Sequence, residues 1–224
     1  MTGKTDKYAE YVEHPRYGRR PNTTGLNPSP FDRDVHLHWN TTEHHEMVAQ
    51  FESVTGKKWP YGDSGAYSSH TRRIANTAIA ADLTRQAPAT IAVTHYFDLE
   101  RKCRDCKRRF IFFAEEQKHW YEELGFGLNS DCVRCIDCRK REQGLARERE
   151  TYENLFHVPD KTVEQLLQMA GACLVLIEAG VFTAKQTERV RMLLNAVPDD
   201  ADVRNRSRYA RLIDRLLAAE AGND

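Results

Sequence analysis

Cys103-Arg104-Asp105-Cys106, answered by Cys132-Val133-Arg134-Cys135-Ile136-Asp137-Cys138, decides how the middle of this 224-residue chain folds. Five of the six cysteines fall in this one region, in groups with Cys-x-x-Cys spacing. A tetrahedral zinc ion takes four ligands, with sulfur at about 2.3 Å, and two cysteines three apart on a tight turn supply two of them without strain. Two such pairs close the shell and leave no position for water or substrate, so the metal holds structure and does no chemistry. Free core cysteines and disulfides fit clustered pairs poorly. One structural Zn2+ is therefore expected.

Cys103 and Cys106 form the upstream pair. Downstream, Cys135 belongs to both pairs on offer, with Cys132 before it or Cys138 after it. Cys138 opens the charged run Arg139-Lys140-Arg141-Glu142, which reads as a helix start, and a knuckle that feeds its last ligand into a helix favours Cys135 with Cys138. Cys132 is the alternative ligand, and otherwise a spare thiol beside the site. As such it would be a redox switch if exposed and of low pKa.

Around these cysteines stand Phe110-Ile111-Phe112-Phe113, Glu116-Gln117, Trp120-Tyr121, Gly125-Phe126 and Arg134-Cys135-x-x-Cys138-Arg139. Over about residues 95 to 142 this series resembles a probable zinc-ribbon domain family of bacterial proteins, whose pattern is Cys-x-x-Cys, an aromatic strand, Glu-Gln with aromatics, Gly-Phe and Arg-Cys-x-x-Cys-Arg. The resemblance supports Cys135 and Cys138 as the second pair, and it implies a fold and a metal more than an activity. The chain departs from the pattern at Cys132, where the family more often carries a non-ligand.

Composition sets the outer bounds. Hydrophobic residues are 40% and charged residues 29%, ordinary for a soluble globular protein. Lys plus Arg and Asp plus Glu both number 33, so net charge is zero and no general attraction to nucleic acid or anionic membrane is expected. No apolar run approaches the ~20 residues that cross a bilayer, and no hydrophobic segment follows Met1 as in a secretory signal. Clustered thiols in such a chain point to the reducing cytoplasm and to metal binding.

The fold expected is α+β: a small zinc-ribbon or treble-clef-like module with a loop-rich N-terminal region and a C-terminal three-helix bundle. The boundaries fall at 1–88, 89–157 and 158–224. Pro15, Pro21, Pro28 and Pro30 make the first 34 residues loop. The Arg- and Tyr-rich stretch there either packs on the protein's own body or offers Arg16, Arg19 and Arg20 to an anion. Val35–Trp39 alternates like a strand, and Thr41 to Gly56 reads as a short capped helix. His36, His38, His44 and His45 invite a second metal or an acid-base site, although no carboxylate or nucleophile stands at a fixed spacing. Trp59–Ser69 is turn-rich, and residues 71–83 are of mixed character with fair helix propensity. Segments beginning Arg19-Arg20 and Arg72-Arg73 faintly echo one another, an echo better read as chance than as two related arms.

Ala89–Asp98 is a strand by its β-branched and aromatic content, and Phe110–Phe113 its return. Ala114–Leu124 is a small helix closed by Gly125. In the tail, Thr162-x-x-Gln165 and Thr183-x-x-Gln186 fit capping boxes, and apolar residues at helical spacing predict three helices. Cys173 is a buried apolar side chain.

Ten basic residues crowd the knuckles. Charge compensation of a four-thiolate site accounts for them as well as a contact with phosphate does. The function expected is a non-enzymatic zinc-binding adaptor. Arg104, Arg108, Arg109, Arg134, Arg139, Lys140 and Arg141, with the helical tail, would bind a protein or nucleic-acid partner, and the tail is a candidate for self-association. The alternative is a metal-dependent hydrolase or nuclease built on the N-terminal histidines.

Overall fold

Strands meet at the first knuckle because the aromatic run Phe110–Phe112 returns along the extended segment Leu99–Lys102. In a computed structural model of the chain, residues 6–29, 32–37, 49–50, 52–57, 72–89, 92–199 and 203–221 are described, the side chains of 203–205 excepted. The chain divides into two compact units, Met1–Arg139 and Lys140–Asp224.

In the first unit, β1 (Arg72–Arg73), β4 (Leu99–Lys102) and β5 (Arg109–Phe112) form an antiparallel sheet in the order β1-β4-β5. The hairpin pairs Leu99 with Phe112 and Lys102 with Arg109, and the six residues between the strands hold Cys103 and Cys106. β2 (Ile79–Ala80) and β3 (His95–Tyr96) pair separately. Among the described residues of the expected 89–98 strand, only His95–Tyr96 is a strand, since Phe97 and Asp98 break the ladder before β4. The described part of the mixed stretch, 72–83, is not helical. It forms β1 and β2 around a turn in which Asn76 sits at φ 59°, a conformation an Asn side chain tolerates.

The N-terminal arm packs on the body of the unit. Tyr11 and Val12 are buried, the Val12 N–H donates to the Arg109 carbonyl at 2.8 Å, and Arg19 and Arg20 pair with Glu13 and Asp6. Those two guanidiniums are thus held within the arm itself. The two echoing segments lie side by side, bridged at Leu26 and Ala78 and at Leu37 and His95. A Cβ on Gly25 would meet the Ala78 carbonyl oxygen at 2.9 Å, so the pairing needs glycine there. Residues 49–50 and 52–55 are helical, as expected of the 41–56 segment, while its start, Trp39 and the 59–69 loop lie outside the described residues.

α1 (Ala114–Lys118) continues into a π turn, His119–Glu123, and Gly125 at φ 69° ends it. Asp98 supplies the cap, its Oδ1 accepting the Ala114 N–H at 2.7 Å. α2 (Ile136–Phe156) runs straight through Gly144 and carries on into the second unit.

The second unit is held by an apolar core. α3 (Val163–Glu178), α4 (Thr187–Asn195) and α5 (Val203–Ala221) pack around Leu167, Ala170, Cys173, Leu174, Val190, Leu194, Leu212 and Leu216. Tyr152 of α2 joins this core, its hydroxyl accepting from Arg189 at 3.0 Å, so a fourth helix contributes to the bundle. Thr162 forms the expected capping box, with Thr162 N–H to Gln165 Oε1 at 2.9 Å and Gln165 N–H to Thr162 Oγ1 at 3.3 Å. The second box is not formed. Thr183 precedes a single 3₁₀ turn and makes no side-chain cap bond.

Among the described residues, no helix is long and apolar enough to cross a membrane.

Candidate metal centre

The turn between β4 and β5 is shaped by its own backbone. The Cys103 N–H donates to the Arg108 carbonyl at 2.9 Å, the Lys107 N–H to the Cys103 carbonyl at 3.1 Å, and Lys107 takes φ 62° to close the loop. Cys106 is thereby brought under Cys103. The other two cysteines come from the start of α2. Cys135 immediately precedes its first residue, and Cys138 lies in its first turn. A cysteine there faces the partial positive charge of the helix N-terminus, which favours thiolate.

The sulfur atoms of Cys103, Cys106, Cys135 and Cys138 all lie within 4.8 Å of one another, and among the described residues they are the group able to hold a metal ion. Cys103, Cys135 and Cys138 are buried. The donor set fits a soft or borderline cation, and four thiolates fill a tetrahedral shell.

Hydrogen bonds prepare the sulfurs for charge. Burial alone would raise the Cys103 thiol, but N–H groups of Cys135, Cys106 and Asp105 aimed at its sulfur outweigh it and bring it down to about 6. The Cys135 N–H lies 3.4 Å from that sulfur and so links the two pairs directly. Burial pushes the Cys135 thiol up to about 12, helped by hydrogen bonding to the other three thiols, and raises Cys138 as well. Among these crowded sulfurs a divalent cation would take the place of the shared protons.

Cys132 lies outside this group. It is buried, donates to the Arg134 carbonyl at 3.4 Å, and is pushed up to about 12 by burial. The exposed, low-pKa thiol that a redox switch requires is not what this environment makes.

Six arginines of the knuckles are paired with acids. Arg134 Nε donates to Asp105 at 2.8 Å and so ties the second half of the site to the first knuckle. The Arg104 N–H reinforces this through the Val133 carbonyl at 2.8 Å. Arg104 Nε lies 3.8 Å from Asp105, Arg108 reaches Asp137 at 2.7 Å, Arg109 reaches Glu100 at 2.6 Å, and Arg101 clamps Asp131 with both terminal nitrogens. The Cys106 sulfur, and then Asp137, raise the Arg108 pKa, as expected for a cation beside an anionic site. Lys140 and Arg141 lie exposed on α2. The acids that answer this charge escaped notice in the sequence. Their signal is an Asp beside a cysteine in both Arg-Asp-Cys and Ile-Asp-Cys.

The Glu-Gln pair on α1 completes the surroundings. Gln117 is fully buried and its Nε2 donates to the Phe97 carbonyl at 2.6 Å and the Phe112 carbonyl at 2.9 Å, locking α1 to the hairpin. Glu116 accepts from Arg139, the residue after Cys138, at 2.5 Å. Arg139 in turn lies over the Trp120 ring, 5.0 Å from its centroid, and Trp120 packs edge-on against Phe112 and Phe126. The side chains of the Glu-Gln-x-x-Trp-Tyr stretch thus hold the hairpin and the first turn of α2 together. Of the four N-terminal histidines, His36 is exposed, and His38, His44 and His45 lie outside the described residues.

A family model described as a probable treble clef domain matches residues 97–146, which span the hairpin, α1 and the first half of α2. No curated protein and no solved structure matches the chain. A knuckle between two strands, with the second cysteine pair at the head of a helix, is the treble-clef form of the expected module. The domain match and the four-cysteine cluster together support zinc binding.

Proposed function

We propose that the chain is a non-enzymatic adaptor, that Cys103, Cys106, Cys135 and Cys138 bind one structural zinc ion, and that its partner is a protein. The observation that carries this reading is the closed donor set: four cysteine sulfurs within 4.8 Å of one another. Zinc suits such a site because it is borderline-soft, tetrahedral and redox-inert, and a four-sulfur shell leaves it no open position for a reacting water. Its work is then to hold the hairpin against α2.

A protein partner is favoured over nucleic acid by the pairing of the basic residues. Arg104, Arg108, Arg109, Arg134 and Arg139 each face a carboxylate. Affinity for phosphate grows with the number of cations free to displace counterions, and these five are already engaged. Lys140 and Arg141 add a smaller polar rim. On the second unit, Met192 and Leu217 are 71% and 54% exposed, the kind of apolar anchor that a protein contact or self-association uses. The thiol-rich site suits a reducing, cytoplasmic setting.

Elemental analysis of the purified chain should find one zinc per molecule, and the chain should elute from a polyanion column at low salt. Met192→Asp and Leu217→Asp should each lower partner capture or the self-associated fraction in light scattering. Two metals per chain would favour the enzyme reading built on the histidines, and retention to high salt would favour nucleic acid. No metal at all would overturn the zinc assignment.

A further inference from the structure

We propose that the N-terminal arm, residues 6–18, is a built-in part of the metal centre, with His14 acting as a positioning residue for the first turn of α2. The inference rests on the zinc reading above and goes beyond it. The arm lies far upstream of the cysteines and outside residues 97–146, the span of the family match. Three features connect it to the site.

Val12 belongs to the same buried cluster as Cys103, Cys135, Cys138, Phe110 and Phe112, so an arm side chain forms part of the apolar shell around the sulfurs. Such a shell limits water access to a metal and lowers the local dielectric. The arm is also fastened at the knuckle. Val12 bonds to the Arg109 carbonyl, and Lys7 and Arg109 share the buried carboxylate of Glu100 at 2.7 and 2.6 Å.

The third connection is a relay. His14 Nδ1 accepts the backbone N–H groups of Arg16 and Tyr17, both at 3.2 Å. A ring nitrogen that accepts carries no proton, which assigns the hydrogen of the neutral ring to Nε2. Nε2 lies 3.6 Å from Glu116 Oε1, and the same oxygen receives Arg139 at 2.5 Å. Arg139 follows the ligand Cys138, and its N–H donates to the Cys135 carbonyl at 2.9 Å. His14 is pinned by stacking on Tyr17, with centroids 4.7 Å apart, and by edge contact with Phe113. Glu116 is buried and its Oε2 has no hydrogen-bond partner among the described residues, so the carboxylate depends on what reaches Oε1. Removing His14 leaves Arg139 to hold Glu116 alone and loosens the turn that aims Cys135 and Cys138.

Metal binding and arm seating are then linked, and linkage is reciprocal. The test is transfer of Zn2+ from the full-length loaded chain to excess chromogenic chelator. His14→Ala is expected to release zinc about tenfold faster, the usual scale for loss of an outer-shell partner. His14→Gln, which keeps a donor towards Glu116, is expected to stay close to the unmutated rate. Val12→Ala should also release faster. Leu174→Ala, which weakens only the second unit's core, should not. Arm variants that all release at the unmutated rate overturn the proposal. His14→Ala and His14→Gln releasing equally fast overturn the relay and leave only packing. Unmutated chain that carries no zinc overturns the metal reading itself, a result distinct from either.

Discussion

The two units solve the same problem by different means. Residues 97–139 hold short strands and one short helix, and what surrounds their centre is sulfur, paired charge and aromatic rings. The second unit buries Leu, Val, Ala and Met side chains between helices, with no metal-binding group among its described residues. In the first unit the cysteines stand inside the apolar cluster of Val12, Phe97, Leu99, Phe110 and Phe112, so removing a cation from the four sulfurs leaves crowded thiols at its centre. In the second, stability is spread over many contacts, none of them decisive. Dependence on one centre is thus the mark of the first unit, and redundancy that of the second.

Metal removal should therefore separate the units more sharply than any point substitution. A structural zinc contributes on the order of 10 kcal/mol to the fold it binds. Stripping zinc from the chain should abolish amide protection across β4, β5 and α1 while α3, α4 and α5 stay protected, as read by hydrogen exchange. Cys135→Ser should do the same. Uniform loss of protection in both units would break the comparison.

The reverse experiment is a cavity in the bundle. Leu174 is fully buried among Leu167, Val190 and Leu212, so Leu174→Ala should cost about 2–5 kcal/mol. Denaturant unfolding followed by helical circular dichroism would measure it, with zinc content unchanged.

These contrasts also explain what the sequence made legible. Two Cys-x-x-Cys pairs announce a four-sulfur site because no common alternative uses that spacing, and amphipathic periodicity announces α3 to α5. Both signals are local. The acids that pair with the knuckle arginines were not legible, since Asp105–Arg134 and Glu116–Arg139 are contacts between residues 29 and 23 positions apart. Nor was the division of 71–83 into β1 and β2, whose partners Glu100 and Tyr96 lie far along the chain. Isolated helix propensity loses there to pairing that only the folded chain supplies. The seating of Val12 beside the cysteines is of the same kind.

A buried carboxylate gives the first unit a pH dependence of its own. Burial raises Asp98 to about 7, opposed by the Ala114 N–H that it accepts. Its folded value stands above the ordinary 3.8, so the folded state holds the proton more tightly. The resulting stability is fully present below the unfolded value and is lost as the pH rises to and through about 7. Asp98→Asn keeps an oxygen for the Ala114 N–H and cannot ionise. It should flatten this slope and stabilise the zinc-loaded chain at pH 8 by roughly 2 kcal/mol, a modest share of what the shift allows. Denaturation midpoints of both proteins between pH 5 and 8 would show it, and parallel curves would refute it.

The smallest effect tests whether a cap in sequence is a cap in the fold. Thr162 and Thr183 stand in the same Thr-x-x-Gln pattern, yet only Thr162 bonds to its Gln. At Thr183 the chain takes one 3₁₀ turn first, and the Gln186 N–H goes to the Thr183 carbonyl at 3.0 Å, so the hydroxyl is not needed. A lost side-chain cap costs about 1 kcal/mol, whereas a threonine without a cap bond costs a few tenths. Thr162→Ala should therefore lower the bundle's unfolding midpoint measurably and Thr183→Ala hardly at all. Equal losses would mean that Thr183 caps in solution and that α4 begins a turn earlier.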